Sequence, residues 1–256
     1  MIPKILHLCW LSGEEYPKEI QYCIESWGKH LPDYEIYVWD THRFDINSTR
    51  WTKEAFEAKK YAFAADYIRL YALYHYGGIY LDSDVLVYQS FNDLLHLSYF
   101  IGEDVVHCFE PAIIGSQKGN PWIREIMSRY EDRPFIKEDG SLDMMSLPLV
   151  FHDILTPKYN FKLIQSKEEF DSSDEQIINI FSSDFFNSRD YVGIRQYTNS
   201  YCSHNFVGSW HKSDRKLEKW IKERIPRLIA NLYYTIIYNL IGRYSLKKKQ
   251  IPYKYK

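Results

Sequence analysis

Residues 74–88 read YHYGGIYLDSDVLVY, an apolar run opened by a glycine pair and interrupted by two aspartates, Asp82 and Asp84, one residue apart. Read as a strand, the stretch places Tyr80, Asp82 and Asp84 on one face and Ile79, Leu81 and Val85 on the other, because side chains alternate along a strand. Two carboxylates held that close repel, and one of them resists ionising unless a cation lies between them. A divalent cation bound by one or two carboxylates, with substrate phosphate completing its shell, describes a Mg²⁺ or Mn²⁺ site that acts on a nucleotide or phosphate compound. An isolated D-x-D is more often a surface turn. The metal reading gains from context: the motif follows a glycine pair and a buried strand, and a second polar cluster, SHNFVGSWHK, lies at residues 203–212. There His204 and His211 are candidate imidazole ligands, Trp210 can stack on a ring and Lys212 can meet phosphate.

Working outward, residues 60–76 (KYAFAADYIRLYALYHY) predict a helix that is apolar nearly all round and therefore buried, closed by Gly77 and Gly78. Asp66 and Arg69 share a face of it at i, i+3, so they form either an internal ion pair or a functional one. Toward the N-terminus, KILHLCW predicts a strand, YPKEIQYCIESWGKHLP a helix and YEIYVWD a second strand. That order predicts an α/β layer fold with a largely parallel sheet. Toward the C-terminus, DVVHCFEPAIIGS predicts two short strands, NPWIREIMSRYEDR and SLPLVFHDIL helices, and FKLI and IINIF further strands. Residues 213–241 return to a helical pattern, bent at Pro226, before a polar, basic and mobile end.

Composition narrows the function classes. The 256 residues are 45% hydrophobic and 26% charged, an ordinary globular balance, and the formal net charge of −2 gives no global case for nucleic acid. The four cysteines are widely spaced with no C-x-x-C pair, which suits a reducing compartment better than a disulfide framework or a zinc ribbon. The first apolar run is too short for a signal peptide or a membrane span, so a cytoplasmic protein is expected. Tyrosine is abundant, 23 residues, and aromatic faces can stack on sugar and base rings as well as fill a core.

Four ordered pieces, IPKILHLCWLSG, AADYIRLYALYHYGGIYLDSDV, FFNSRDY and HNFVGSWH, span residues 2–211 and give the chain a resemblance to glycosyltransferase family 32. That group contains bacterial capsule and lipopolysaccharide sugar transferases and the yeast initiating mannosyltransferase, and it is distantly similar to the clostridial glucosylating toxins. The resemblance implies a GT-A fold: a Rossmann-like, mostly parallel sheet flanked by helices, a D-x-D metal site holding Mn²⁺ or Mg²⁺, and sugar transfer with retention of configuration. It implies a catalytic domain over residues 1–212 and a C-terminal helix and basic tail over 213–256. Carried over by position, Trp10 matches the tryptophan that stacks on the donor base, with Leu8 beside it on the donor side. Asp66 and Arg69 match the pair that holds the donor sugar's hydroxyls. Tyr80 is placed with the donor-binding residues, Asp82 matches the aspartate that contacts ribose and metal, and Asp84 the firmer metal ligand. His204, Ser209 and Trp210 match a C-terminal H-H-F-x-x-S-W pattern, with Lys212 following. This chain has Asn205 where many members carry a second histidine, so His204 is the first choice of metal ligand there and His211 the reserve.

The expected reaction is transfer of a hexose from a nucleotide-diphosphate sugar, a UDP-sugar first, to a surface polysaccharide or lipid-linked acceptor. Glu110, after a predicted strand, is a weak candidate for a transient nucleophile. Two other readings stay open: a non-catalytic sugar-binding protein on the same fold, and a haloacid-dehalogenase-like phosphatase, against which Leu86 and the motif's distance from the N-terminus speak. Beyond Glu223 the chain has no acidic residue, and an apolar, tyrosine-rich stretch at 228–242 lies among basic residues. It is too short to span a bilayer and fits either a packed final helix or peripheral contact with an anionic membrane.

Overall fold

The computed structural model describes residues 1–104, 107–186, 200–205 and 251–253. In chain order these form β1 (Ile5–Cys9), α1 (Lys18–His30), β2 (Glu35–Trp39), α2 (Arg50–Glu57), α3 (Tyr61–Tyr76), β3 (Gly78–Leu81), β4 (Val85–Val87), β5 (Tyr99–Glu103), β6 (Phe109–Ser116), α4 (Pro121–Ser128), α5 (Leu147–Leu155), β7 (Asn160–Ile164), β8 (Ile177–Phe181), α6 (Ser183–Phe186) and β9 (Cys202–His204). Local chemistry sets several boundaries. The Thr49 side chain accepts from the Thr52 N–H at the start of α2, and Asn120 caps α4 ahead of Pro121, whose missing N–H costs nothing in a first turn.

Among the described residues seven strands make one sheet in the order β2-β1-β3-β6-β5-β8-β7. β1 pairs in parallel with β2 and β3, β8 pairs in parallel with β5 and β7, and β6 runs antiparallel to both β3 and β5. Every strand of this sheet except β6 therefore points the same way, and the expected mostly parallel α/β sheet is present. Alternation sorts the side chains onto two cores. Tyr80 and Ile114 face a cluster with Trp51, Ile68, Ile123 and Phe151 from α2–α5. Leu6, Leu8, Ile79, Leu81 and Ile113 face a second cluster with Trp27 of α1 and Phe186 of α6.

The passage from α3 into β3 depends on glycine. Gly77 has φ 68° and its N–H closes the helix on the Leu73 carbonyl, while Gly78 has φ 109°. A Cβ on Gly78 would stand 2.6 Å from the Ile5 carbonyl oxygen, so only glycine lets the turn lie this close to β1.

Three expectations change. The strand of residues 79–85 is broken, since β3 ends at Leu81 and the Val85 N–H donates to the Asp82 carbonyl, making the D-x-D a turn. β4 then leaves the main sheet and pairs with β9. Of the two short strands expected within residues 104–116, one is present as β6; the strand before it, β5, lies at Tyr99–Glu103, and His107 takes φ 64° between them. The extreme C-terminus is not wholly a solvated tail. Ile251 is 4% exposed within the helical-side core, its N–H donates to the His107 carbonyl, and Tyr253 bridges to Phe161 and donates its hydroxyl to Glu103. The expected helix over 213–241 and the FFNSRDY motif beyond Phe186 lie outside the described residues.

Candidate active site

In an open α/β sheet, ligands bind beyond the carboxyl ends of the strands, where the strand order changes direction. Here the chain lays β2 on one side of β1 and β3 on the other, so the crevice opens between the ends of β1 and β3. Trp10 follows the first and Asp82 the second. Reversed β6 begins at this same edge, bringing Glu110 and Pro111 to it.

The D-x-D turn and the β4–β9 ribbon assemble the acidic centre. Val85 pairs with His204, and the Asn205 N–H donates to the Asp84 carbonyl at 3.1 Å, fixing the C-terminal segment against the turn. Ligand atoms of Asp82, Asp84 and His204 all lie within 4.8 Å of one another. Two carboxylates and an imidazole form a hard oxygen and nitrogen donor set, which fits Mg²⁺ or Mn²⁺. His204 Nε2 lies 3.3 Å from Asp84 Oδ1, and its Nδ1 lies 3.3 Å from Glu110 Oε1. Burial raises the Asp82 carboxyl above the usual carboxylate range, against the pull of Arg69 and His204. The His204 imidazole is raised well above its ordinary value because its carboxylate partners, Glu110 and Asp84, outweigh burial.

Arg69 joins this centre to α3. Its Nη2 lies 3.2 Å from Asp66 Oδ1 and 3.3 Å from Asp82 Oδ1, while Nη1 donates to the Pro111 carbonyl at 3.0 Å. The guanidinium also stands 4.5 Å over the Tyr80 ring, whose hydroxyl donates to Asp82 Oδ1 at 2.8 Å. Burial raises the Asp66 carboxyl despite its arginine neighbour. The internal ion pair and the site are thus one network, and the two alternatives left open by the sequence are not exclusive.

Of the other residues singled out, Trp10 is half-buried, with Nε1 donating to the Glu14 carbonyl and its ring 4.7 Å from that of Tyr16. The Leu8 side chain is a correction: at 1% exposure it lies in the core on the α1 side, where it offers no surface to a donor. Alternation along β1 explains this, since Leu8 shares its face with Leu6. Ser209, Trp210, His211 and Lys212 lie outside the described residues. Glu110 does not stand apart as a lone carboxylate: Oε1 meets His204 and also accepts the Ala112 N–H at 3.3 Å. No spacing in the sequence joins residue 110 to residue 204; the link is made by a reversed strand meeting a ribbon.

Residues 17–101 match the family model described as a glycosyltransferase sugar-binding region containing a DXD motif. An uncharacterized glycosyltransferase of Acanthamoeba polyphaga mimivirus is 30% identical over 185 residues, covering 65% of this chain and 72% of that protein. Inositol phosphoceramide mannosyltransferase 3 of Schizosaccharomyces pombe is 29% identical over 133 residues, 49% of this chain but 36% of the relative's length. Among solved structures, a galactosyltransferase in complex with donor and acceptor sugar analogs has a TM-score of 0.44 at 15% identity, over 89% of this chain and 95% of its own.

Proposed function

Because this chain belongs to the glycosyltransferases whose sugar-binding region contains a DXD motif, we propose that it transfers a hexose from a nucleotide-diphosphate sugar, with a divalent metal and with retention of configuration. The observation that carries this reading is the meeting of Asp82, Asp84 and His204 beside the Asp66–Arg69 pair at the carboxyl edge of the sheet. The names of the yeast relatives make mannose the sugar to test first after the UDP-hexoses. They also put a phosphoinositol-bearing sphingolipid beside lipid-linked oligosaccharide and surface glycan as acceptors to test.

In this reading Asp82, Asp84 and His204 would hold Mn²⁺ or Mg²⁺, which would supply positive charge for a departing diphosphate. Arg69 and Asp66 orient the sugar. Arg69 has a buried Nε–H with no partner among the described residues, and pairing it with a sugar hydroxyl would remove the cost of that orphaned donor. Tyr80 of β3 and Arg69 of α3 together hold Asp82 in place. Trp10 offers its ring to the base. Peripheral membrane contact through the basic residues beyond 223, from the cytoplasmic side, belongs to the same proposal.

The test is a panel of UDP- and GDP-hexoses with the full chain, measuring nucleotide release with Mn²⁺, with Mg²⁺ and in excess chelator. Metal-dependent release with one donor supports the proposal, and NMR of the product's anomeric proton then checks retention. Release that persists in chelator removes the metal from it. Tight donor binding without any release, whatever the acceptor, turns the protein into a sugar-nucleotide binder.

A further inference from the structure

We infer that Glu110 is the positioning residue that turns His204 toward the Asp82–Asp84 pair. The inference rests on the metal-site reading above and goes beyond it to a residue outside the donor set. Glu110 is buried, 3% exposed, and sits at the start of β6, the one reversed strand of the main sheet. Its Oε1 is anchored by the Ala112 N–H and lies 3.3 Å from His204 Nδ1, while the opposite ring nitrogen, Nε2, lies 3.3 Å from Asp84 Oδ1. The two edges of the imidazole therefore face carboxylates on opposite sides at ion-pair distance, Glu110 at one and Asp84 of the D-x-D turn at the other. A carboxylate beside Nδ1 favours the proton on that nitrogen of the neutral ring and leaves Nε2 as the ligating atom.

The backbone supports this arrangement independently. β9 is three residues long, and among the described residues β4 is the one strand it pairs with, so backbone pairing places the Cα of His204 but leaves its ring orientation to side-chain neighbours. On β6 the register against β5 slips: Ile101 faces Ile114, yet the next residue, Gly102, faces Glu110. Such irregularities re-aim side chains beside active sites. Here the slip lies around Pro111, which has no N–H to lose from the ladder and whose carbonyl accepts from Arg69. The same irregularity thus serves His204 through Glu110 and Asp82 through Arg69.

The test is Mn²⁺ binding by titration calorimetry to the metal-free full chain without donor, so that it does not depend on turnover. Glu110→Leu should weaken Mn²⁺ binding about 10- to 100-fold. Glu110→Gln, which keeps an oxygen able to accept from Nδ1–H, should recover most of that loss. In a His204→Ala background Glu110→Leu should add less than about twofold, because the carboxylate acts through the imidazole. If Glu110→Leu does not fold, Glu110→Asp, with its oxygens drawn back by one methylene, carries the same expectation. Unchanged Mn²⁺ affinity in the Leu and Asp variants would overturn the inference, and if transfer vanished at the same time Glu110 would be acting on the sugar as a nucleophile. Losses that add to those of His204→Ala would overturn it as well. Failure of the metal site itself looks different: a wild-type chain that binds no Mn²⁺, or a His204→Ala chain that binds it unchanged, rejects that reading with Glu110 intact and takes this inference with it.

Discussion

Arg69 touches both Asp66 and Asp82, so no substitution at Arg69 can separate sugar recognition from metal binding. Asp66 is the better probe, because among the described residues its ion pair is with Arg69 and not with the D-x-D carboxylates. Asp66→Asn keeps the shape and removes the charge. It should weaken binding of a nucleotide sugar about tenfold or more, the worth of one charged hydrogen bond, while binding of the free nucleotide stays within about twofold. Calorimetry with the two ligands decides this, and equal losses would make the pair purely structural. Asp84 belongs to the other half. Asp84→Asn should lower metal-dependent transfer at least about a hundredfold yet leave the melting temperature within a few degrees, since it opens no cavity. Full activity in that variant, read by nucleotide release, would remove Asp84 from the metal shell. At this scale the sequence was informative where spacing is local. Asp66 with Arg69 and Asp82 with Asp84 lie within one or two turns of chain, so periodicity brings them together. Glu110 was not legible as a partner of His204, because 94 positions separate them and a slip in register makes the contact.

Among the elements, the buried helix and the strands flanking it were readable because apolar runs and glycines mark them. The D-x-D could be read either as a turn or as the continuation of a strand, and alternation favoured the strand. Alternation continues across residues 79–85, and Ile79, Leu81 and Val85 do share one core as a strand would have them. What breaks the strand is a choice of partner: Val87 and Val85 pair with Cys202 and His204 from far along the chain. The C-terminal residues show the same limit from the other side. Their basic composition reads as a solvated end, yet Ile251 fills a place in the core cluster that also holds Phe161 and Phe109. Deleting residues 251–256 should therefore destabilise the protein, and Ile251→Ala alone should cost about 2 to 4 kcal/mol, as for other large-to-small core changes. Urea unfolding measures both. A truncation of this segment made to test membrane binding would confound location with folding, so charge substitutions at Lys247, Lys248 and Lys249 are the better way to ask that question.

Across the whole molecule, stability should respond to pH through groups buried on the sheet, and His7 offers the cleanest reading. It lies on β1, fully buried, with Nε2–H donating to the Gly77 carbonyl at 2.6 Å and Nδ1 accepting from the Trp39 indole N–H at 3.0 Å. Both nitrogens are satisfied only in the neutral ring. A second proton would point one N–H at another, and burial holds the imidazole down at about 4. Above the ordinary histidine value of about 6.5, folded and unfolded chains carry the same charge at this residue and it contributes nothing to the pH dependence. Below it the unfolded chain takes up a proton that the folded chain refuses, so stability falls with pH until the folded value is passed. At pH 4.5 the loss should be about 2.5 kcal/mol relative to pH 7. Asp66 works in the opposite sense: its folded carboxyl is raised, so its contribution is present at low pH and lost as pH rises. The raw pH profile therefore mixes the two slopes, and a difference measurement is needed. His7→Gln, whose amide can still donate to Gly77 and accept from Trp39, removes the titration while keeping its neighbours satisfied. Urea unfolding of both proteins at pH 7 and pH 4.5 should show the wild type losing about 2.5 kcal/mol relative to the variant over that interval. Parallel profiles would mean that the ring is protonated in the folded state and that the Trp39 hydrogen bond is not what holds it neutral.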